Sequence, residues 1–190
     1  MKKLNGILSV IAIIFYYLPA SAQNDPEAKA VLAYMAPGEM HQMMAKSVGT
    51  WTGSMTMWMK PGAPPMIMTG ETINEMILGG RYLKSTNKAT YNGMPFEGIG
   101  MMGYDNAKKI FVSTWIDNFG TGMMFTEGYW DAQNKTINFN GKMVDPVSGK
   151  DLQVRETMKF VDDNNHYFEM FVNQAGKEFK AMEIKYTRKQ

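Results

Sequence analysis

Residues 49–59 read GTWTGSMTMWM, and this stretch decides the fold. Its odd positions carry Trp51, Met55, Met57 and Met59, with Gly53 between them. Its even positions carry Thr50, Thr52, Ser54 and Thr56, with Trp58 as the exception. Apolar residues alternating with polar ones at period two mark a strand with one buried face. The odd face is therefore expected to point inward. The segment KPGAPP, 60–65, is a proline-rich breaker, and a second strand starts at Met66. In simple register Met59 faces Met66 and Met57 faces Met68, and directly opposed residues share a face. Met55, Met57, Met59, Met66 and Met68 are then expected to line one wall.

Further strands follow at short intervals, each ended by a turn signal. They are expected at 50–59, 66–78, 81–91, 96–104, 109–117, 122–130, 136–144, 152–161, 166–172 and 178–187. Asn92-Gly93 is a hairpin signal, because both residues tolerate positive φ. Strands joined by such short loops are antiparallel, since parallel crossovers need a dozen residues or more. An open sheet of this length leaves two edges, and closure removes them. The expected fold is all-β: an up-and-down antiparallel barrel of about ten strands with a short N-terminal helix. A barrel that wide holds more space than wall side chains fill, which points to a cavity. The alternative is a sandwich with Greek-key connections.

Upstream of the barrel, Lys2 and Lys3 precede the apolar run ILSVIAIIFYYL and the small-residue site Ala20-Ser21-Ala22. This is the pattern of a secretory leader with a core too short to span a bilayer. Three parts are expected: a signal peptide at 1–22, cleaved after Ala22; an N-terminal segment with a short helix at 23–48; and the barrel at 49–190. The alternative is an uncleaved anchor. Within 38–48, Met40, Met43 and Met44 fall on one helical face. Export to the periplasm or medium is expected, with no membrane span in the mature protein.

Without the two leader lysines, the 20 basic residues become 18, equal to the 18 acidic ones. No Lys/Arg cluster could follow a phosphate backbone, so nucleic acid is not an expected partner. The chain has no cysteine. That excludes disulfides, zinc thiolates, iron–sulfur clusters and a cysteine nucleophile. The 20 methionines are the unusual feature of the composition, and thioethers suit adaptable apolar surfaces.

Strand-borne charges are Arg81, Asp117, Glu127, Arg155, Glu156 and Glu169. Most should face water, and any that face inward should be paired or functional. Arg155 and Glu156 are adjacent and cannot both be internal. An Arg155–Asp117 pair in the lumen is a candidate polar handle. His41 and His166 are expected to be surface or capping residues. Gly98 to Gly103 spells G-x-G-x-x-G, but inside a strand with no helix after it, so it is not a phosphate loop.

Three features together carry a resemblance: a short helix leading into Gly49-Thr50-Trp51, the antiparallel meander, and Arg188 at the end of the last strand. They are similar to the calycin superfamily, the lipocalin and fatty-acid-binding-protein group. The resemblance implies that Trp51 closes the barrel floor and Arg188 packs across it as a cation–π pair. HQMMAKSVGTW (41–51), LGGRYL (78–83), GMPFEGIGMMGYD (93–105), FVSTWID (111–117) and DPVSGK (145–150) with Arg155 resemble an exported bacterial family, domain of unknown function 1579. That family implies a calycin-like barrel with no assigned activity, and no haem-ligand histidine carries over.

The expected function is binding of a small apolar or amphipathic molecule. Trp51, Met55, Met57, Met66, Met68, Tyr104 and Trp115 would line the site, with Asp117 and Arg155 as polar handles. No catalytic residue, metal site or cofactor is assigned. The alternatives are an enzyme using luminal carboxylates, and methionine-based Cu(I) binding or oxidant buffering.

Overall fold

The computed structural model describes residues 25–174 and 176–190. The leader expected at 1–22 lies outside the described residues. The chain divides into two units, Met1–Ala36 and Pro37–Gln190. In the first, helix α1 spans Pro26–Met35. The Asp25 carboxylate accepts the Glu27 N–H at 3.0 Å, and Pro26 sits in the first turn, where its missing N–H costs nothing.

The second unit holds helix α2 (Glu39–Ala45) and ten strands: β1 (Gly49–Met57), β2 (Met66–Ile77), β3 (Tyr82–Tyr91), β4 (Met94–Asp105), β5 (Ile110–Asp117), β6 (Met124–Asp131), β7 (Thr136–Val144), β8 (Asp151–Asp162), β9 (Asn165–Gln174) and β10 (Lys177–Arg188). Each strand pairs antiparallel with its neighbour in sequence, and β1 closes on β10 from Trp51↔Arg188 to Met57↔Met182. The result is the closed meander, not the sandwich. Asn92 and Gly93 form the β3–β4 hairpin with φ of 48° and 80°, the positive values that a tight turn of this hand requires. Among the described residues, no helix is long and apolar enough to cross a membrane.

One register expectation is corrected. Met57 pairs with Met66 and Met55 with Met68, so pairing starts two residues earlier than a simple loop would give. β1 ends at Met57, and the N–H of the next residue, Trp58, still donates to the Ala181 carbonyl of β10 at 2.8 Å. Met59 is left in the loop, 71% exposed, and takes no part in the wall. The slip is an even number of residues, so every inward side chain of β1 stays inward.

The lower end of the barrel holds the larger buried cluster. Leu83, Phe111, Ile137 and Phe139 form a buried cluster with Met44 of α2, and Met40 and Met43 pack against it. The methionine face of α2 is thus buried against the base of the barrel. The His41 Nδ1 accepts the Gly38 N–H at 3.0 Å, which caps the helix. His41 is a cap, as expected, but a buried one, edge-on to Tyr104 at 6.0 Å. Burial and the Arg81 charge hold its pKa below the ordinary histidine value.

Candidate functional site

The floor is built around Trp51, 1% exposed. The Arg188 guanidinium lies 4.2 Å from its ring centre and the His166 ring stacks on it at 4.3 Å. The indole N–H donates to the Ser47 carbonyl at 2.9 Å. Arg188 donates to the carbonyls of Lys46 and Val48 at 2.6 Å and of Asp163 at 2.9 Å. It therefore ties the chain leaving α2 to the end of β10. Gly49 is obligatory beside it: φ is +126°, and a Cβ would stand 2.8 Å from Arg188 Nη1.

His166 is neither a surface nor a capping residue. It faces inward on β9 opposite Tyr186 and Phe160, and it is buried. Burial, and secondarily the Arg188 charge, push its pKa down to about 4. It serves as a neutral aromatic plate under the lumen.

Above the floor the inward positions turn polar. Thr72, Ser85, Asn87, Ser113, Thr126, Glu156 and Tyr186 all lie on the inner faces of their strands. The Thr72 hydroxyl donates to Asn87 Oδ1 at 2.6 Å, and the Tyr186 hydroxyl is hydrogen-bonded to Thr72. The Tyr186 ring lies over Gly53, where a Cβ would stand 3.2 Å from it. Burial pushes the Tyr186 pKa up, so its hydroxyl keeps its proton.

Glu156 is the charged member of this belt. It lies between Phe139 on β7 and Met170 on β9, only 5% exposed. The Thr126 hydroxyl, 3.3 Å from Oε2, is the one hydrogen-bond partner its carboxyl has among the described residues. Burial raises its pKa to about 7 against the opposing effect of that hydroxyl. At neutral pH the side chain stands at the balance between acid and carboxylate.

The upper end is lined by apolar side chains. Met55, Met57, Met66 and Met68 all point inward and remain half-buried. Met124, Met143 and Met182 surround the buried trio Val154, Met170 and Val172 on the facing wall. Tyr91 donates its hydroxyl to Met66 Sδ at 3.0 Å.

Trp115 and Asp117 also face inward, near the mouth. Trp115 lies flat over Gly98, where a Cβ would come within 2.4 Å of the indole, so only glycine admits the ring. The indole N–H donates to Asp117 Oδ2 at 2.7 Å, and Phe96 stacks at 6.4 Å. Asp117 Oδ1 accepts the N–H groups of Phe119 and Gly120 at 2.9 and 3.0 Å. Both oxygens are engaged in shaping the rim, so Asp117 offers no free base. Tyr104 sits low in the barrel, tilted against Phe111 at 4.9 Å, and belongs to the floor cluster.

Arg155 faces outward, contrary to expectation. It makes a two-bond ion pair with Glu178 at 3.1 and 2.8 Å and lies 3.9 Å above the Phe171 ring. The expected luminal pair with Asp117 does not form. The carboxylate that enters the lumen more deeply is Glu156, which is absent from the expected lining. A signal for it exists in the sequence: Leu152, Val154, Met158 and Phe160 share its parity, an apolar face with one acid in it. His166 shares a face with Phe168, Met170 and Val172 for the same reason.

Two grooves open outside the lumen, of about 250 Å³ over β7–β9 beside Tyr167 and about 420 Å³ at the rim beside Trp58 and Phe179. Among the described residues, no group of three or more His, Asp or Glu is placed to hold a metal ion.

The family described as "Protein of unknown function (DUF1579)" matches residues 36–188. Among solved structures, Rv2717c from M. tuberculosis matches with a TM-score of 0.61 at 12% identity, over 82% of this chain and 100% of that one. The S-type phycobiliprotein lyase CPES from Guillardia theta matches with a TM-score of 0.59 at 9% identity, over 80% and 94%. At such identities the likeness is one of fold. A search of curated proteins found no match.

Proposed function

The chain belongs to the DUF1579 family of proteins of unknown function, and from that premise we propose that its barrel binds a small apolar or amphipathic molecule in the open half of the lumen. One observation carries this reading. The inward residues Trp51, Leu83, Phe111, Ile137 and Phe139 at the floor are fully buried, whereas Met55, Met57, Met66, Met68 and Trp115, equally inward, are only half-buried. A barrel evolved only to be stable would fill that half as it fills the other, since interiors pack to crystal-like density. A pocket with apolar walls and a few polar groups beneath them is the usual form of a small-molecule site. Methionines add the capacity to repack around ligands of different outline. In the same reading the leader at 1–22 exports the protein, and the mature chain begins at Gln23. Sequencing the N-terminus of protein recovered from the exported fraction tests that.

The binding test uses N-phenyl-1-naphthylamine, a neutral probe that brightens in apolar sites. Saturable enhancement with a Kd of about 1–10 μM is expected. Ala89→Trp plugs the lumen, because Ala89 faces inward between Gly70 and Phe96. It should abolish the signal. Val147→Trp on an exposed loop should leave the signal unchanged. No saturable enhancement, or equal binding by the Ala89→Trp variant, overturns the proposal.

A further inference from the structure

The charges on the inner wall are one-sided. Between the floor and the rim, the described inward positions of the strands carry two carboxyls, Asp117 and Glu156, and no Lys or Arg. Arg188 lies at floor level, paired across from Trp51 and tied to backbone carbonyls. Lys177, the next inward-facing cation, stands exposed in the hairpin at the rim. Asp117 is satisfied by its own rim contacts. Glu156 is not: it is buried, with one hydroxyl beside it and no cation among the described residues.

A buried carboxyl without a cation is unfavourable when ionised. Such a group persists where it does something. An anionic head entering this lumen would meet a like charge, or have to hold Glu156 protonated. A positive head would meet the counter-charge it lacks on leaving water. The aromatic faces of Trp115 and Tyr186 add to the attraction for a cation.

We infer that the ligand is a cationic amphiphile, its positive head received by Glu156 above the floor and its apolar body lying along the methionine wall toward the mouth. This rests on the binding reading above and narrows it to a charge class. Binding a permanent cation is then coupled to loss of the Glu156 proton. The groups facing Glu156 leave that coupling to it alone. Phe139 on β7, Met170 on β9 and Thr126 on β6 do not titrate, and Tyr186 on β10 stays neutral. His166, on the floor, is already neutral above about pH 4.

The experiment measures displacement of N-phenyl-1-naphthylamine by three twelve-carbon competitors below their micelle concentrations: dodecyltrimethylammonium, dodecan-1-ol and dodecyl sulfate. None titrates between pH 6 and 8. The cation should bind tightest and should gain about tenfold from pH 6 to pH 8, as the carboxylate fraction of a group with a pKa of about 7 rises. Dodecanol should be insensitive to pH. Glu156→Gln keeps the shape and should remove both the pH response and the preference for the cation while the neutral probe still binds. If that variant fails to fold, the competitor ranking and pH response of the wild-type protein decide between the outcomes. A cation that binds no tighter than dodecanol, or affinity for dodecyl sulfate that leads and grows as pH falls, overturns the inference. Failure of the neutral probe itself overturns the binding reading beneath it.

Discussion

Ten strands run the length of this barrel, and their two ends are packed in opposite ways. At the closed end Trp51, Phe111 and Ile137 are buried, the latter two in one cluster with Met44 of α2, and the Trp51 indole finds its polar partner in the chain itself. At the open end Met57, Met68 and Trp115 point at the same axis and stay half-accessible. The pleat is identical, and so is the alternation. Within residues 37–190 the covering element differs. The closed end has a helix carrying three methionines, and the open end is ringed by hairpin loops. One end is built around a buried cluster, and the other is the end proposed to take in a ligand.

The largest test of that contrast is Trp51→Ala. It removes a buried indole together with its contacts to Arg188, His166 and Ser47, and should cost about 3–5 kcal/mol. Urea unfolding should show a lower midpoint with an unchanged m value. A loss below about 1 kcal/mol would mean the floor does not hold the barrel.

The next test follows pH. Glu156 has a folded pKa of about 7, raised above the ordinary carboxylate value, so its contribution is full below about pH 4.5 and is lost as pH rises through 7. His166 has a folded pKa of about 4, depressed below the ordinary value, so its contribution is full above about pH 6.5 and is lost as pH falls through 4. Each effect amounts to roughly 3 kcal/mol, and because the two windows overlap they largely offset one another in the wild-type protein. Glu156→Gln removes the Glu156 loss, so in the unliganded protein its stability should rise from pH 4 to pH 8 by roughly 3 kcal/mol more than that of the wild type. Unfolding midpoints at pH 4, 6 and 8 read the difference, and a variant with the pH profile of the wild type would remove Glu156 from the lumen.

Gly98→Ala comes third. The added methyl meets the Trp115 ring, and relief by moving the ring or the strand should cost about 1–3 kcal/mol. The near-ultraviolet circular dichroism of Trp115 should change with it. Unchanged spectra would mean the ring does not lie where the strand needs glycine. The smallest effect belongs to Met68→Ala. A half-accessible side chain at the open end should cost under about 1 kcal/mol while altering probe affinity. The equivalent truncation at the floor, Met44→Ala, should cost about 2–5 kcal/mol. If the two methionines respond alike, the ends are not packed differently.

Much of the fold is legible in the sequence. Alternation locates the strands to within a few residues, and Asn92-Gly93 names its own hairpin. The inward face of β1 also follows from its pattern, and it survives a two-residue error in register because a strand repeats every two residues. The charged residues are harder. The chemistry of Arg155 suggests a luminal handle, yet Leu152, Val154, Met158 and Phe160 put their shared face on the side of Glu156. His166 begins a strand, which suggests the surface, yet the first inward position of a strand is where a floor is made.

The stretch at 49–59 thus determines on its own that this chain forms a strand with one apolar face, because period-two patterning is local. It cannot determine what that face meets. Trp51 comes to lie against His166 and Arg188, and Met55 and Met57 opposite Ile184 and Met182, only once β1 closes on β10. Closure joins residues more than a hundred positions apart, and the same closure buries Glu156. Burial depends on every neighbour at once, and a strand's own alternation records just one of its two sides.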